Sequence, residues 1–251
     1  IFTFGGSTMW GSGARDEGTI PSLLAKELCK GKLKVKVINF GESGYVSTQE
    51  IFRLQLELRK GNTPDIVVFY DGFNEVYASF QNRQAGLPQN IVHRQQEFNL
   101  KNKFYPFGLT PHFNEILERV ARKLLKENYP PLDNTLVKET SRVYTGNLNL
   151  VVALADEYHF QPFFYWQPTI FTKKVKSVEE QQITWGSYMS ESFLKVTKEV
   201  LSSSDVQGLT TVFDEHPETI YVDWSHISEA GNALIAQKMA RDIKLYLEQQ
   251  K

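Results

Sequence analysis

Four short segments of the 251-residue chain place polar residues directly after apolar runs. Together they hold a hydroxyl, an imidazole, a carboxylate and several hydrogen-bond donors, which are the groups that acyl transfer requires. The segments are Gly5-Gly6-Ser7-Thr8, Asn39–Gly44, Asp71–Glu75 and Asp223-Trp224-Ser225-His226. Since ligands bind at the carboxyl ends of parallel strands, we expect all four to lie on one edge of a sheet.

Ser7 is the candidate nucleophile of this set. A serine hydroxyl is a poor nucleophile until a base takes its proton, and His226 is the candidate base. Asp223 precedes His226 by three residues, so that one tight turn can carry both and the carboxylate can orient the second ring nitrogen. The pattern predicts a serine–histidine–aspartate triad.

The oxyanion that forms during acyl transfer needs hydrogen-bond donors, and three are available in these segments. They are the backbone N–H groups of Ser7 and Gly44 and the side-chain amide of Asn74. A glycine at position 44 suits a backbone that must approach a ligand closely.

Each of these residues also has an ordinary structural interpretation. Ser7 could be a turn residue, Asn74 could cap a helix, and Gly44 could be a simple loop glycine. The remaining histidines show no comparable partner pattern, and we expect them to be structural or exposed: His93, His112, His159 and His216.

Other catalytic and metal-binding motifs are missing from the sequence. No G-x-S-x-G elbow occurs, which disfavours the α/β-hydrolase class. Ser192 and Lys195 match S-x-x-K without its companion motifs. Neither H-E-x-x-H nor C-x-x-C occurs, so we predict no metal and no cofactor.

The elements that must position these residues alternate along the chain. Apolar runs predict strands, and amphipathic stretches between them predict helices, the first of which has Thr19 as its cap. Ser47 and Glu50 have capping-box spacing at the start of the second helix. The predicted strands are 1–5, 34–40, 65–70, 160–168 and 219–224; the predicted helices are 19–30, 47–60, 136–158, 185–203 and 229–250. This order favours a parallel sheet covered on both faces.

Residues 76–135 interrupt the alternation. They contain an amphipathic stretch, 112–127, that predicts a helix. We interpret the chain as one domain, 1–251, with an insertion over the top of the sheet. A lid, a partner surface and a purely structural excursion stay open as roles for the insertion.

The four segments, in this order, resemble the blocks of the SGNH hydrolases, also called GDSL esterases/lipases. The resemblance extends from residue 2 to about residue 236. It implies a three-layer α/β/α sandwich with a mainly parallel, flavodoxin-like sheet. It also implies Ser7 as nucleophile, His226 as base, Asp223 as third triad member, and Ser7, Gly44 and Asn74 as the oxyanion hole.

Two positions depart from the family pattern. The first block usually reads Gly-Asp-Ser, whereas Gly6 stands before Ser7 here; the third usually ends in Asn-Asp, whereas Glu75 follows Asn74. Neither change removes a group that the chemistry needs.

The leading hypothesis is therefore a serine esterase that cleaves carboxylic esters of small molecules, lipids or acylated sugars through an acyl-serine intermediate. The alternative is an O-acyltransferase or carbohydrate O-acetylesterase acting on a polysaccharide or glycolipid. A non-catalytic binding module is the third hypothesis.

Composition restricts the partners further. The chain has 28 Lys and Arg against 29 Asp and Glu, which gives no bulk attraction to nucleic acid. No apolar run approaches the roughly 20 residues of a membrane span. Because the sequence starts inside a strand-like run at Ile1, we expect a preceding segment that could carry a signal or an anchor. Compartment and oligomeric state stay open.

Overall fold

A parallel sheet of five strands lies at the centre of the computed structural model, which describes residues 1–30, 34–104, 130–183 and 187–250. The strands are β1 (Phe2–Gly5), β2 (Ile38–Asn39), β3 (Ile66–Asp71), β4 (Gln161–Trp166) and β5 (Gln207–Gly208). Their spatial order is β2-β1-β3-β4-β5. This is the flavodoxin-like order, and it confirms the predicted fold class.

Helices connect the strands and cover the sheet. Thr19 caps α2 by accepting a hydrogen bond from Ser22 N, and Asp133 caps α6 by accepting one from Leu136 N. None of the described helices combines the length and the apolar character needed to cross a membrane. The helices are α1 (Ser7–Trp10), α2 (Ile20–Cys29), α3 (Ser47–Arg59), α4 (Phe73–Asn82), α5 (Ile91–Phe104), α6 (Asn134–Tyr158), α7 (Ser187–Ser203) and α8 (Glu229–Gln249).

The two faces of β3 supply two separate parts of the core, because successive side chains of a strand point to opposite faces. Val68 and Tyr70 pack in a cluster with residues of α2 and α8. Val67 and Phe69 pack in another cluster with residues of α3 and α6. All six residues of β3 are buried, as its continuous apolar run predicts. The layers are those of the predicted three-layer sandwich.

Two strand predictions need correction. The strand predicted at 34–40 is limited to Ile38–Asn39. The strand predicted at 219–224 is wrong, because this segment is a loop with one antiparallel bridge between Tyr221 and Ile227. The last strand of the sheet is Gln207–Gly208 instead.

The capping box predicted at Ser47 and Glu50 is also wrong. Val46 is the N-cap of α3, and Gln49 Oε1 accepts its N–H at 3.3 Å. Of the predicted insertion at 76–135, the structure describes residues 76–104, which comprise most of α4, the segment after it and α5, and residues 130–135. The helix predicted at 112–127 lies outside the described residues. One domain with an insertion remains a prediction.

Buried carboxyl groups converge where α3 and α4 meet the end of β3. Glu75 accepts hydrogen bonds from Ser47 N at 2.6 Å and from Gly72 N at 3.3 Å, and so ties the starts of the two helices together. Burial and repulsion from Asp71 and Glu75 raise the pKa of Glu50 well above its ordinary value. The folded chain therefore keeps a proton on this cluster to a higher pH than the unfolded chain does.

This linkage predicts how stability depends on pH. The folded chain binds more protons than the unfolded chain between the unfolded pKa of Glu50, about 4.3, and its raised folded value. The free energy of unfolding should therefore fall as the pH rises through that interval. Glu50→Gln removes this contribution, so we expect a higher melting temperature than wild type at about pH 8 and a smaller difference near pH 5.

Glu157→Gln, on an exposed part of α6, is the matched control and should follow wild type at both pH values. If Glu50→Gln retained the full pH dependence of the wild type, Glu50 would not be the group that takes up the proton.

Candidate active site

Ser7 lies where β1 turns sharply into α1. The turn depends on Gly5, whose φ is +155° and where an added Cβ would come within 2.7 Å of Tyr70 O. Gly5 therefore allows β1 and β3 to stay paired while the chain leaves the sheet. Ser7 is consequently held at the carboxyl end of β1, next to β3, where the strand order reverses and such folds bind ligands.

The structure brings Ser7, His226 and Asp223 into one hydrogen-bonded chain. Ser7 Oγ lies 2.7 Å from His226 Nε2, and His226 Nδ1 lies 2.6 Å from Asp223 Oδ2. Residues 219 positions apart thus meet at hydrogen-bonding distance. This is the arrangement in which a histidine can take the serine proton.

The ionisation of Asp223 fixes the direction of these hydrogen bonds. Burial opposes its ionisation, but hydrogen bonds from the His226 side chain and from the backbone N–H groups of His226 and Ser225 prevail, and they lower the pKa of Asp223. An ionised carboxylate only accepts, so Nδ1 of His226 carries the proton. Nε2 is then left as the acceptor for the Ser7 hydroxyl.

Asn74 lies over the turn that leads to Ser7. It is the second residue of α4, and Gly72 occupies the N-cap position, so the helix-cap interpretation of Asn74 does not hold. Its Nδ2 donates to Tyr45 O at 2.8 Å, and its Oδ1 accepts from Gln89 Nε2 at 2.9 Å. One hydrogen of the Asn74 amide takes no part in these two contacts.

Gly6 makes this approach of Asn74 possible. A Cβ built on Gly6 would lie 2.0 Å from Asn74 Nδ2, although the φ of −78° at Gly6 suits any residue. The glycine that departs from the family pattern therefore gives room to the Asn74 amide. Glycine is needed at position 6 because it has no side chain, not because of its backbone conformation.

Gly44 belongs to the loop between β2 and α3, beside Asn74. Its φ is +74°, a conformation that favours glycine, and its neighbour Tyr45 provides the carbonyl that Asn74 contacts. The structure thus places all five predicted site residues at the carboxyl edge of the sheet. Their catalytic roles remain predictions. No group of three or more His, Cys, Asp or Glu side chains among the described residues is arranged to hold a metal ion.

A sequence profile of the family GDSL-like Lipase/Acylhydrolase matches residues 1–239. The comparison with curated proteins finds no match.

Solved structures of similar fold cover nearly the whole chain. They include the lipase/acylhydrolase from Enterococcus faecalis, which is 17% identical with a TM-score of 0.53 and covers 97% of this chain and 94% of its own. An acetylxylan esterase from Geobacillus stearothermophilus, solved as a catalytic mutant, is 15% identical with a TM-score of 0.52 and covers 96% and 92%. The psychrotrophic esterase EstA from Pseudoalteromonas sp., inhibited by monoethylphosphonate, is 14% identical with a TM-score of 0.51 and covers 99% and 98%. At these identities the likeness shows the fold alone.

The loop that carries Asp223 and His226 is held by a buried ion pair. Glu180 Oε1 accepts the backbone N–H groups of Ile220 and Tyr221, each at 2.9 Å. Its Oε2 accepts from Lys173 Nζ at 2.7 Å, and both charged side chains are fully buried. Lys173 also donates to Glu218 O at 2.8 Å. The pair therefore replaces the strand pairing that the segment lacks.

Removing one partner of this pair should be costly, because the other charge stays buried and uncompensated. We expect Lys173→Met to lower the free energy of unfolding by about 3–5 kcal/mol. Lys174→Met is the control, since Lys174 is exposed and its pair with Asp214 should contribute at most about 1 kcal/mol. Urea denaturation of both variants gives the comparison, and equal losses would contradict the role of the buried pair.

Proposed function

Because the chain belongs to the GDSL-like Lipase/Acylhydrolase family, we propose that it hydrolyses carboxylic esters through an acyl-serine intermediate on Ser7. The observation that carries the proposal is the hydrogen-bonded chain from Ser7 Oγ through His226 to Asp223. The family supports ester hydrolysis in general, and the serine mechanism is the proposed part.

In the first half of the proposed reaction, His226 Nε2 takes the Ser7 proton as Oγ attacks the ester carbonyl carbon. Asp223 stabilises the imidazolium that forms. The carbonyl oxygen becomes an oxyanion, which the N–H groups of Ser7 and Gly44 and the Asn74 amide would stabilise. The intermediate then collapses, the C–O bond to the alcohol breaks, and His226 returns its proton to the leaving alkoxide.

The second half repeats these steps with water in place of the serine. His226 takes a proton from water, the hydroxide attacks the acyl carbon, and the second tetrahedral intermediate releases the acid and Ser7. A sugar hydroxyl that attacked at this point would give acyl transfer instead. Product analysis with and without a sugar acceptor therefore separates the two outcomes.

Ser7→Ala is the direct test of the proposal. We expect kcat for p-nitrophenyl acetate to fall by at least about 10³-fold, because the group that forms the acyl intermediate is removed. Ser202→Ala, an exposed serine at the end of α7, is the control and should retain activity. A fluorophosphonate probe should label the wild type and Ser202→Ala but not Ser7→Ala. Undiminished turnover by Ser7→Ala would end the proposal.

Asn74→Ala tests the proposed oxyanion hole. Loss of one such donor should lower kcat by about 10²–10³-fold with little change in KM, because charge appears on the oxygen only as the reaction proceeds. Gly6→Ala should act in the same direction by displacing the Asn74 amide. The melting temperature is measured on the same preparations. An Asn74→Ala protein that melts earlier but keeps its kcat would remove Asn74 from the site.

A further inference from the structure

Gln89 connects the segment after α4 to the candidate oxyanion hole. Its Nε2 donates to Asn74 Oδ1 at 2.9 Å. A Cβ built on Gly44 would lie 3.3 Å from its Oε1. The Gln89 side chain therefore lies beside two of the three proposed oxyanion donors, although it belongs to none of the four motif segments.

The contacts of Asn74 require one orientation of its amide. Rotating an asparagine amide by 180° exchanges its oxygen and its nitrogen. Tyr45 O can only accept, so it requires the Nδ2 side of Asn74. The Gln89 amide nitrogen can only donate, so it requires the Oδ1 side. The Tyr45 carbonyl thus selects the orientation that places Nδ2 over Gly6, the residue before Ser7, and the Gln89 N–H occupies Oδ1 in that same orientation.

Gln89 is itself held in place by its neighbours. Asn82 Nδ2 donates to Pro88 O at 2.9 Å, and Gln81 Nε2 donates to Asn90 Oδ1 at 2.8 Å. The residues on both sides of Gln89 are thus fastened to the last turn of α4. This support reduces the entropy that Gln89 loses in making its contact with Asn74.

We propose that Gln89 is a positioning residue of the oxyanion hole, which holds the Asn74 amide with its nitrogen toward Ser7. The inference rests on the proposed function, since it needs Asn74 to be an oxyanion donor. Gln89 acts through Asn74 and does not contact the reacting atoms. A donor held in advance requires no reorientation when the charge develops, so the effect belongs to kcat.

The proposal predicts a specific pattern for two substitutions. Gln89→Met keeps the length of the side chain but removes the donor, and we expect kcat to fall about tenfold with KM unchanged. Gln89→Glu replaces the donor by an acceptor that favours the flipped Asn74 amide and adds a negative charge near the oxyanion. We expect a larger fall for this variant, about 10²-fold.

A double-mutant cycle with Asn74→Ala tests whether Gln89 acts through Asn74. In the Asn74→Ala background, Gln89→Met should change kcat by less than about twofold. Gln84→Ala, an exposed glutamine of the same segment, is the matched control and should behave like wild type. Melting temperatures of all variants distinguish lost activity from lost folding, and Gln89→Glu serves if Gln89→Met fails to fold.

The outcomes separate this inference from the proposed function. The positioning role is overturned if Gln89→Met lowers kcat as strongly in the Asn74→Ala background as in the wild type. It is also overturned if Gln89→Met changes KM alone. Normal turnover by Gln89→Met beside a strongly impaired Asn74→Ala also overturns it and leaves the proposed function intact. Normal turnover by Asn74→Ala overturns both the oxyanion role and the inference, whereas active Ser7→Ala overturns the acyl-serine mechanism itself.

Discussion

The geometry of the Ser7–His226–Asp223 chain depends on one buried carboxylate, that of Glu180. Asp223 and His226 lie on a loop that is closed by one bridge between Tyr221 and Ile227 but is not paired with the five-stranded sheet, so the sheet does not fix their position relative to Ser7. Glu180 provides hydrogen bonds that fix this loop, because it accepts from two consecutive backbone N–H groups just before Asp223. Burial alone would raise the pKa of Glu180, but the hydrogen bonds from Lys173 and from the backbone N–H groups lower it. The carboxylate therefore stays ionised, and the buried Lys173 ammonium balances its charge. A buried charge that would destabilise the fold without a partner thus anchors the loop before Asp223.

The other side of the site is fixed by the sheet and by glycines that let backbones come close. β1 and β3 are adjacent, so the turn after β1 and the start of α4 after β3 meet without a long connection. Because Gly5 and Gly6 have no side chains, Tyr70 O can lie close to Gly5 and the Asn74 amide can lie close to Gly6. Glu75 then joins the start of α4 to that of α3. Ser7 and the proposed oxyanion donors therefore belong to one edge of the sheet, and Glu180 holds the loop that carries His226 against it.

The sequence predicts most of this edge because its signals are local. The continuous apolar run of β3, the glycines before Ser7 and the short spacing of Asp223 and His226 need no knowledge of distant contacts. The failures have a different origin. Residues 219–224 have the composition of a strand, but two of their N–H groups bond to a glutamate 40 and 41 positions away. Ser47 has the composition of a cap, yet its N–H goes to Glu75. Gln89 carries no pattern at all, since its contact with Asn74 depends on how the segment after α4 folds back.

Gly6 has no proposed part in the reaction, yet its departure from the family pattern shapes the surroundings of Asn74. An aspartate there, as in the usual family pattern, would begin with a Cβ 2.0 Å from Asn74 Nδ2, so the amide would have to move. The close approach of the Asn74 amide therefore depends on the missing side chain at position 6. Because Gly6 has no side chain, the Asn74 amide can lie close to the backbone before Ser7. For the same reason, no side chain at position 6 contacts this amide. The hydrogen bonds of Asn74 lie with other partners, since it donates to the Tyr45 carbonyl and accepts from the Gln89 amide. The bare glycine in the first motif is thus the physical reason for which we propose that Gln89, a residue of neither motif, supports Asn74 in the third.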